Sequence, residues 1–288
     1  MKINILITGA SGFIGRSLIK NLDKKGIQYV TLGTTNIDSN IHIDFDLLSD
    51  SNILSKIKEI KPTHLIHLAW YTKHGMYWDS HLNINWIKAT SRLIEAFCQS
   101  GGEHVLVAGT CAEYDWDYGY CSEDSTPLAP NSLYGICKNS TRQIAIQICK
   151  KHKIRFAWTR LFFPFGAGES EERLIPSLFQ VFRNQKEAFG VNSFIYRDFL
   201  HVTDISDAIT ICSTLKTHGE INICSEEPRS LEFIVRRIAD ICNVSPKKVL
   251  SLKSERRNEP KFLIGNNSKL KKLGWKQRIS LKNAFENY

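Results

Sequence analysis

The stretch KINILITGASGFIG, residues 2–15, decides the fold. Lys2 to Thr8 is a short apolar, β-branched run, the pattern of a buried strand. Gly9 ends it. Phe13 to Lys25 then carries apolar residues at Phe13, Ile14, Leu18, Ile19 and Leu22, a helical stripe that Gly26 closes. Between strand and helix stands GxxGxxG. The first glycine permits a sharp turn, the second leaves the backbone bare for an approaching diphosphate, and the third lets the helix pack close to the strand. The helix start adds free N–H groups and a positive dipole. Gly9, Ser11, Gly12, Phe13, Ile14 and Gly15 are therefore candidates to hold a dinucleotide.

Outward from this turn the alternation continues. Strand patterns fall at Gln28–Leu32, Ile41–Phe45, Thr63–Ala69, His104–Ala108 and Ile154–Leu161. Helical patterns fall at Ile53–Ile60, His81–Ser100 and Leu133–Lys151. Such alternation implies an α/β fold, a doubly wound parallel sheet wrapped on both faces. After about residue 162 Phe and Pro become frequent and loops lengthen. Leu231–Cys242 and Leu281–Asn287 read as helices. The expected division is a dinucleotide-binding domain over 1–162 and a smaller C-terminal α/β lobe over 163–288, with about 197–212 returning to the main sheet.

Composition narrows the class. The chain of 288 residues is 42% hydrophobic and 23% charged, which excludes a disordered chain. The formal charge is +9, but Lys and Arg are scattered. Their densest clusters, Lys247-Lys248, Arg256-Arg257 and Lys269 to Lys276, read as a solvated face, so neither nucleic acid nor membrane is expected as a partner. The eight Cys form no CxxC pair, so no metal is expected. No signal peptide and no long apolar run are read, and a cytoplasmic chain with reduced thiols is expected.

Cofactor choice is read at the end of the second strand. A carboxylate there would hold the ribose 2′-OH of NAD, and Gly33-Thr34-Thr35 stands instead. NADP(H) is favoured and NAD(H) stays open. Arg16 reads either as a cation for a 2′-phosphate or as an exposed helix residue. Asp46, followed by Leu47, reads either as a partner of the adenine amino group or as a helix N-cap. Leu68, Ala69 and Trp70 end a strand where the cofactor's centre would pass, and Phe162 is assigned to the cofactor with them.

The chemistry is read at Tyr134 and Lys138, four apart on one helical face. A phenol with pKa ~10 needs a neighbouring ammonium to work near neutral pH, and the ammonium is expected to lower that value. Thr110, 24 residues before Tyr134, offers a hydroxyl to the reacting oxygen.

With GASGFIG (9–15), GTCAEY (109–114), YGICK (134–138), RLFFPFGAGE (160–169), RDFLHVTDISDAI (197–209) and NSKLKKLGWK (267–276), the chain resembles the extended short-chain dehydrogenase/reductase family, in its sugar-nucleotide epimerase/dehydratase branch. The resemblance implies a Rossmann-type sheet. It makes Tyr134 the acid/base, Lys138 its partner and the nicotinamide ribose's, and Thr110 the third catalytic group. It gives Arg197 to the nucleotide's phosphates, the other reading being a salt bridge with Asp198 or Asp204. Leu174 and Ile175 match a stretch lining the nucleotide base, and His201 and Asp204 look structural. It also implies a homodimer through the helices at 81–100 and 131–152.

Departures from the family pattern narrow the reaction. The 4,6-dehydratases place an Asp-Glu pair after the Thr, and here Cys111-Ala112 stands, with Glu113 one position late. The 3,5-epimerase/4-reductases need a Cys and a His where Ala112 and Gly168 stand. Hydride transfer remains. The expectation is reduction of a nucleotide-linked 4-keto-6-deoxyhexose for a bacterial surface polysaccharide. An NAD-dependent 4-epimerase is the alternative, and a non-catalytic dinucleotide sensor the next. Phe163 replaces the epimerases' usual Asn. With Cys111, Glu113, Trp70, Tyr71 and Lys73 it is a candidate to touch the sugar.

Overall fold

The structure is a computed structural model that describes residues 3–37, 41–252, 254 and 259–286. Lys2, Asn287 and the Arg256-Arg257 cluster lie outside the described residues. The chain opens with β1 (Ile5–Thr8), α1 (Phe13–Lys24), β2 (Tyr29–Gly33), β3 (His42–Asp44), α2 (Ile53–Ile60), β4 (His64–His67), α3 (Leu82–Gln99) and β5 (His104–Thr110). A 3-10 turn at Cys111–Glu113 and a short β6 (Tyr120–Cys121) lead to α4 (Leu133–Lys151), β7 (Arg155–Leu161) and β8 (Pro164–Phe165). Then come α5 (Leu174–Phe182), β9 (Tyr196–Arg197), β10 (Leu200–His201), α6 (Val202–Thr214) and β11 (Gly219–Ile223). The chain ends with β12 (Arg229–Ser230), α7 (Leu231–Ile241), α8 (Lys247–Leu250), β13 (Phe262–Gly265), α9 (Ser268–Lys272) and α10 (Leu281–Glu286).

Seven strands form one sheet in the order β11-β7-β5-β4-β1-β2-β3, with every neighbouring pair parallel. This is the Rossmann-type doubly wound sheet. Its strands are apolar without alternation because both faces are covered. Ile5 and Ile7 of β1 face Leu18 and Leu22 of α1 and Ile205 and Ile209 of α6. Leu6 points the other way, into Leu65, Val105, Leu93 and Phe97 under α2, α3 and α4. Strand order reverses beside β1, and the crevice past the ends of β1 and β4 is where such sheets bind ligands.

A second core holds the smaller lobe, where Phe179 and Phe182 of α5 meet Ile234 and Ile238 of α7 and Phe285 of α10. A four-stranded sheet, β12-β9-β13-β6, lies beside it. The chain crosses between the two parts. β6 leaves the first half to pair with β13, and β11 takes the outer edge of the main sheet beside β7.

Three histidines sit inside this framework. His67 is buried between two hydroxyls, its Nδ1 2.6 Å from Thr8 Oγ1 and its Nε2 2.9 Å from Thr90 Oγ1. His104 uses Nε2 on the Thr217 carbonyl at 2.9 Å. His104 Nδ1 and His64 Nε2 have no partner among the described residues. Burial lowers the pKa of His67 to about 3 and of His104 to about 4, and pushes His64 down as well. All eight Cys are free thiols.

Candidate active site

A cavity of about 1120 Å³ opens past the carboxyl ends of the central strands and is walled on its far side by the smaller lobe. Pockets for one small ligand measure ~300–1,000 Å³, so this one has room for a dinucleotide and part of a second molecule. At one end Gly9 to Gly15 line it. No side chain caps the α1 N-terminus, so its first-turn N–H groups are left to a ligand. Gly9 has φ +74°, and a Cβ on Gly15 would stand 2.2 Å from the Gly9 carbonyl oxygen. Gly15→Ala is therefore expected to force the loop open and weaken NADPH binding by roughly tenfold or more. A fluorescence titration giving wild-type affinity would refute this.

The adenosine end is lined by Gly33, Thr34, Thr35, Asp46 and Leu47. A side chain on Gly33 would meet nothing within 4 Å, so there is open room where a 2′-phosphate would lie. Asp46 lines the cavity while also ordering the turn after β3, accepting from Leu48 N at 2.9 Å and Ser49 Oγ at 2.8 Å. Arg16 does not line the cavity. Its guanidinium donates to the Ser11 carbonyl at 2.5 Å and the Gly168 carbonyl at 2.8 Å, tying the loop after β8 to the glycine turn. That correction removes its assignment to the 2′-phosphate. Leu68, Ala69 and Trp70 line the middle of the cavity. Phe162 does not: it is fully buried with Tyr114, Cys121 and Cys224, and its neighbours Leu161 and Phe163 face the cavity instead.

Thr110, Tyr134 and Lys138 converge on the same cavity. β5 ends at Thr110. Ser132 caps α4 by accepting Gly135 N–H at 3.2 Å, which sets Tyr134 and Lys138 on its first two turns. Gly135 allows the close approach, because a Cβ there would lie 2.5 Å from the Ala112 carbonyl oxygen. The Tyr134 ring is held edge-on by Tyr77 and Trp78, with centroids at 4.9 and 5.8 Å.

The electrostatics differ from the sequence expectation. Burial pushes the Tyr134 phenol above its ordinary pKa, and the nearby Thr110 hydroxyl offsets only part of that. Lys138 is held by partners other than the phenol. Its Nζ donates to the Ala108 carbonyl at 2.8 Å and lies 4.0 Å from the centre of the Trp70 ring. Burial lowers its pKa to about 7, against the raising influence of Glu113. The phenol, kept neutral by burial, is a proton donor rather than a ready base, and the Lys138 amine is buried with it.

On the substrate side Cys111 and Phe163 line the cavity, as do Leu174 and Ile175 at the start of α5. Arg197 lines it too, with 6% of its surface exposed. It donates to the Tyr196 and Pro260 carbonyls and pairs with Glu259 at 3.2 Å. Asp198 and Asp204 are engaged elsewhere, accepting backbone N–H groups of Ser225 and Gly265, and of Arg278 and Ile279. Glu113 is a correction: it is wholly buried under the turn, paired with Arg160, and cannot touch a sugar. Tyr71 and Lys73 do not line the cavity, whereas Tyr77, Trp78 and Trp116 do. Helical or strand periodicity has no purchase on the loop at 70–78, so the sequence could not sort its side chains.

A glycine turn at a sheet's switch point, with a Tyr, a Lys and a Thr meeting in one cleft, defines a nicotinamide-dinucleotide enzyme. The sequence model described as the NAD dependent epimerase/dehydratase family matches residues 5–224, and the chain belongs to that family. It is 28% identical over 242 residues to dTDP-6-deoxy-L-talose 4-dehydrogenase (NAD(+)) of Aggregatibacter actinomycetemcomitans, covering 81% of this chain and 88% of that one. It is 26% identical over 302 aligned residues to CDP-abequose synthase of Salmonella typhimurium, covering 99% and 97%. Among solved structures it resembles MoeE5 in complex with UDP-glucose and NAD, at 25% identity, TM-score 0.85 and coverage of 98% and 96%. The UDP-glucose 4-epimerase of Thermus thermophilus in complex with NAD, at 18% identity, TM-score 0.86 and coverage of 99% and 97%, shares the fold.

Proposed function

We propose that this protein reduces the 4-keto group of a nucleotide-activated 4-keto-6-deoxyhexose with NADPH, serving bacterial surface-polysaccharide synthesis in the cytoplasm. The observation that carries the reading is the Tyr134 phenol, held protonated by burial, lining the same cavity as Thr110 while the turn's one carboxylate, Glu113, is sealed beneath it. Bound NADPH supplies a hydride to the carbonyl carbon. Thr110 holds the carbonyl oxygen, Tyr134 gives its proton to the alkoxide, and the Lys138 ammonium favours the phenolate left behind. Elimination of water would need an acid and a base facing the sugar, and Cys111 and Ala112 supply neither. Arg197 suits a diphosphate, exchanging its carbonyl partners for phosphate oxygens. Two relatives named for chemistry on deoxysugar nucleotides, a 4-dehydrogenase and a CDP-sugar synthase, support the class of substrate.

The choice of NADPH rests on Gly33, Thr34 and Thr35, where a carboxylate is lacking and space is open. Gly33→Asp is expected to weaken NADPH by about tenfold more than NADH, about 1.4 kcal/mol of repulsion against the 2′-phosphate. Equal effects on both cofactors in a binding titration would undercut the preference. Ile136 and Ile144 of α4 and Ile84 of α3 are exposed, and they support a homodimer through these helices.

A 4-epimerase is the second reading, and a UDP-glucose 4-epimerase solved with NAD shares the fold. It oxidises before it reduces and must retain its cofactor. A panel of nucleotide 4-keto-6-deoxyhexoses, followed by loss of NADPH absorbance, tests the proposal. Turnover that consumes NADPH stoichiometrically supports it. Purified protein carrying tightly held NAD and interconverting epimers without net consumption would overturn it. Tight NADPH binding without turnover on any ketosugar would instead favour a non-catalytic sensor.

A further inference from the structure

We propose that Glu113 is a positioning residue of this site, fixing Thr110 from beneath. The inference rests on the reading of Thr110, Tyr134 and Lys138 as the working groups. It gives a role to a carboxylate that the reaction does not touch. Glu113 Oε1 accepts the backbone N–H of Thr110 at 2.8 Å, and the Thr110 hydroxyl accepts Ala112 N–H at 3.2 Å. Both ends of the threonine are tied, so its hydroxyl is presented to Tyr134 in one orientation. Trp158 Nε1 lies 2.9 Å from each Glu113 oxygen, and Arg160 Nε donates to Oε2 at 3.0 Å.

The arrangement is built, not incidental. Glu113 and Arg160 are both almost completely removed from solvent. Arg160 also donates to the Tyr114 hydroxyl at 3.1 Å, which donates to Asn222 Oδ1 at 2.8 Å, and Asn222 reaches the Cys121 and Asn266 carbonyls. The network thus runs from the catalytic turn across β7 and β11 into the smaller lobe. Gly109 makes room for it, since a Cβ there would stand 2.1 Å from Trp158 Nε1 and 2.7 Å from Glu113 Oε1. Burying an ion pair contributes little net stability, and apolar residues of similar volume often do as well. A network of this size kept directly under the catalytic turn points to control of geometry.

The test compares a variant that cannot accept the Thr110 N–H with one that can. Loss of Glu113 alone strands the buried Arg160 guanidinium and can unfold the chain, so Glu113→Leu/Arg160→Met is measured beside Glu113→Gln/Arg160→Met, whose amide oxygen still accepts that N–H. With NADPH and ketosugar, kcat is expected to be about tenfold lower in the leucine variant than in the glutamine variant, with NADPH affinity equal within about twofold. Equal kcat in the two folded variants overturns the proposal. So does a loss of NADPH affinity that parallels the loss of kcat, which would mean a purely structural role. Absence of turnover in wild type would count against the reductase reading. Amide hydrogen exchange at Thr110 then decides Glu113: faster exchange in the leucine variant supports the proposal and equal exchange overturns it.

Discussion

Tyr134→Phe is expected to lower kcat by about 10²–10⁴-fold, the range for a lost general acid, while NADPH affinity stays within about twofold. The substitution removes one oxygen. Edge-on contacts of the ring with Tyr77 and Trp78 persist, so the loop that closes this end of the cavity keeps its seat. A lost hydroxyl of this kind costs about 1 kcal/mol, too little to unfold the chain. What goes is the proton that must reach the alkoxide as it forms. Burial raises the phenol's pKa, so the wild-type group holds that proton across the neutral range and releases it only to a stronger base. The measurement is single-turnover oxidation of NADPH with a 4-keto-6-deoxyhexose nucleotide. A rate within tenfold of wild type would sink the assignment of the proton donor. A rate lost together with NADPH binding would mean that the phenol holds the cofactor rather than the proton.

The parts of this site that were legible in the sequence are those set by local rules. The helices at Ile53–Ile60 and Leu133–Lys151 have the bounds their apolar spacing and caps imply. The glycine turn is a backbone device, so its residues announce themselves. Tyr134 and Lys138 need only helical periodicity to share a face. What stayed hidden depends on long-range partners. Glu113 looked like a sugar contact until Arg160, 47 residues later, drew it under the floor. Arg16 reads equally as a phosphate cation or an exposed helix residue, and only the loop at Gly168, 152 residues later, shows where its guanidinium goes. Phe162, Phe163 and Leu161 are indistinguishable as residue types, and only the chain's exit from β7 decides that Phe162 turns inward. Strands of two residues, such as β9 and β12, are too short to show a period at all.

Acid is expected to unfold this protein steeply between pH 6.5 and 4, and buried imidazoles are the reason. Unfolded histidine takes a proton near pH ~6.5. In the folded chain His67 does so only at about 3 and His104 at about 4, and His64 is lowered too. Below pH ~6.5 the unfolded state therefore binds protons that the folded state refuses, and stability falls with pH. It is fully present above the unfolded value and is lost progressively on acidification. Each histidine contributes a slope of about 1.4 kcal/mol per pH unit, so His67 and His104 together give about 3. By pH 4 the loss is on the order of 7 kcal/mol, comparable with the whole stability of a typical domain at ~5–15 kcal/mol. Asp198, Asp204 and Glu123 work in the opposite sense, because burial raises their pKa values and the folded chain takes their protons first. A variant separates the two effects. His104→Asn keeps a side-chain donor for the Thr217 carbonyl and removes the titrating ring with its unpaired nitrogen. Urea midpoints followed by circular dichroism from pH 7.5 to 4.5 are expected to drop steeply in wild type and about half as steeply in His104→Asn. Parallel slopes in the two proteins would show that protons are taken up elsewhere on unfolding.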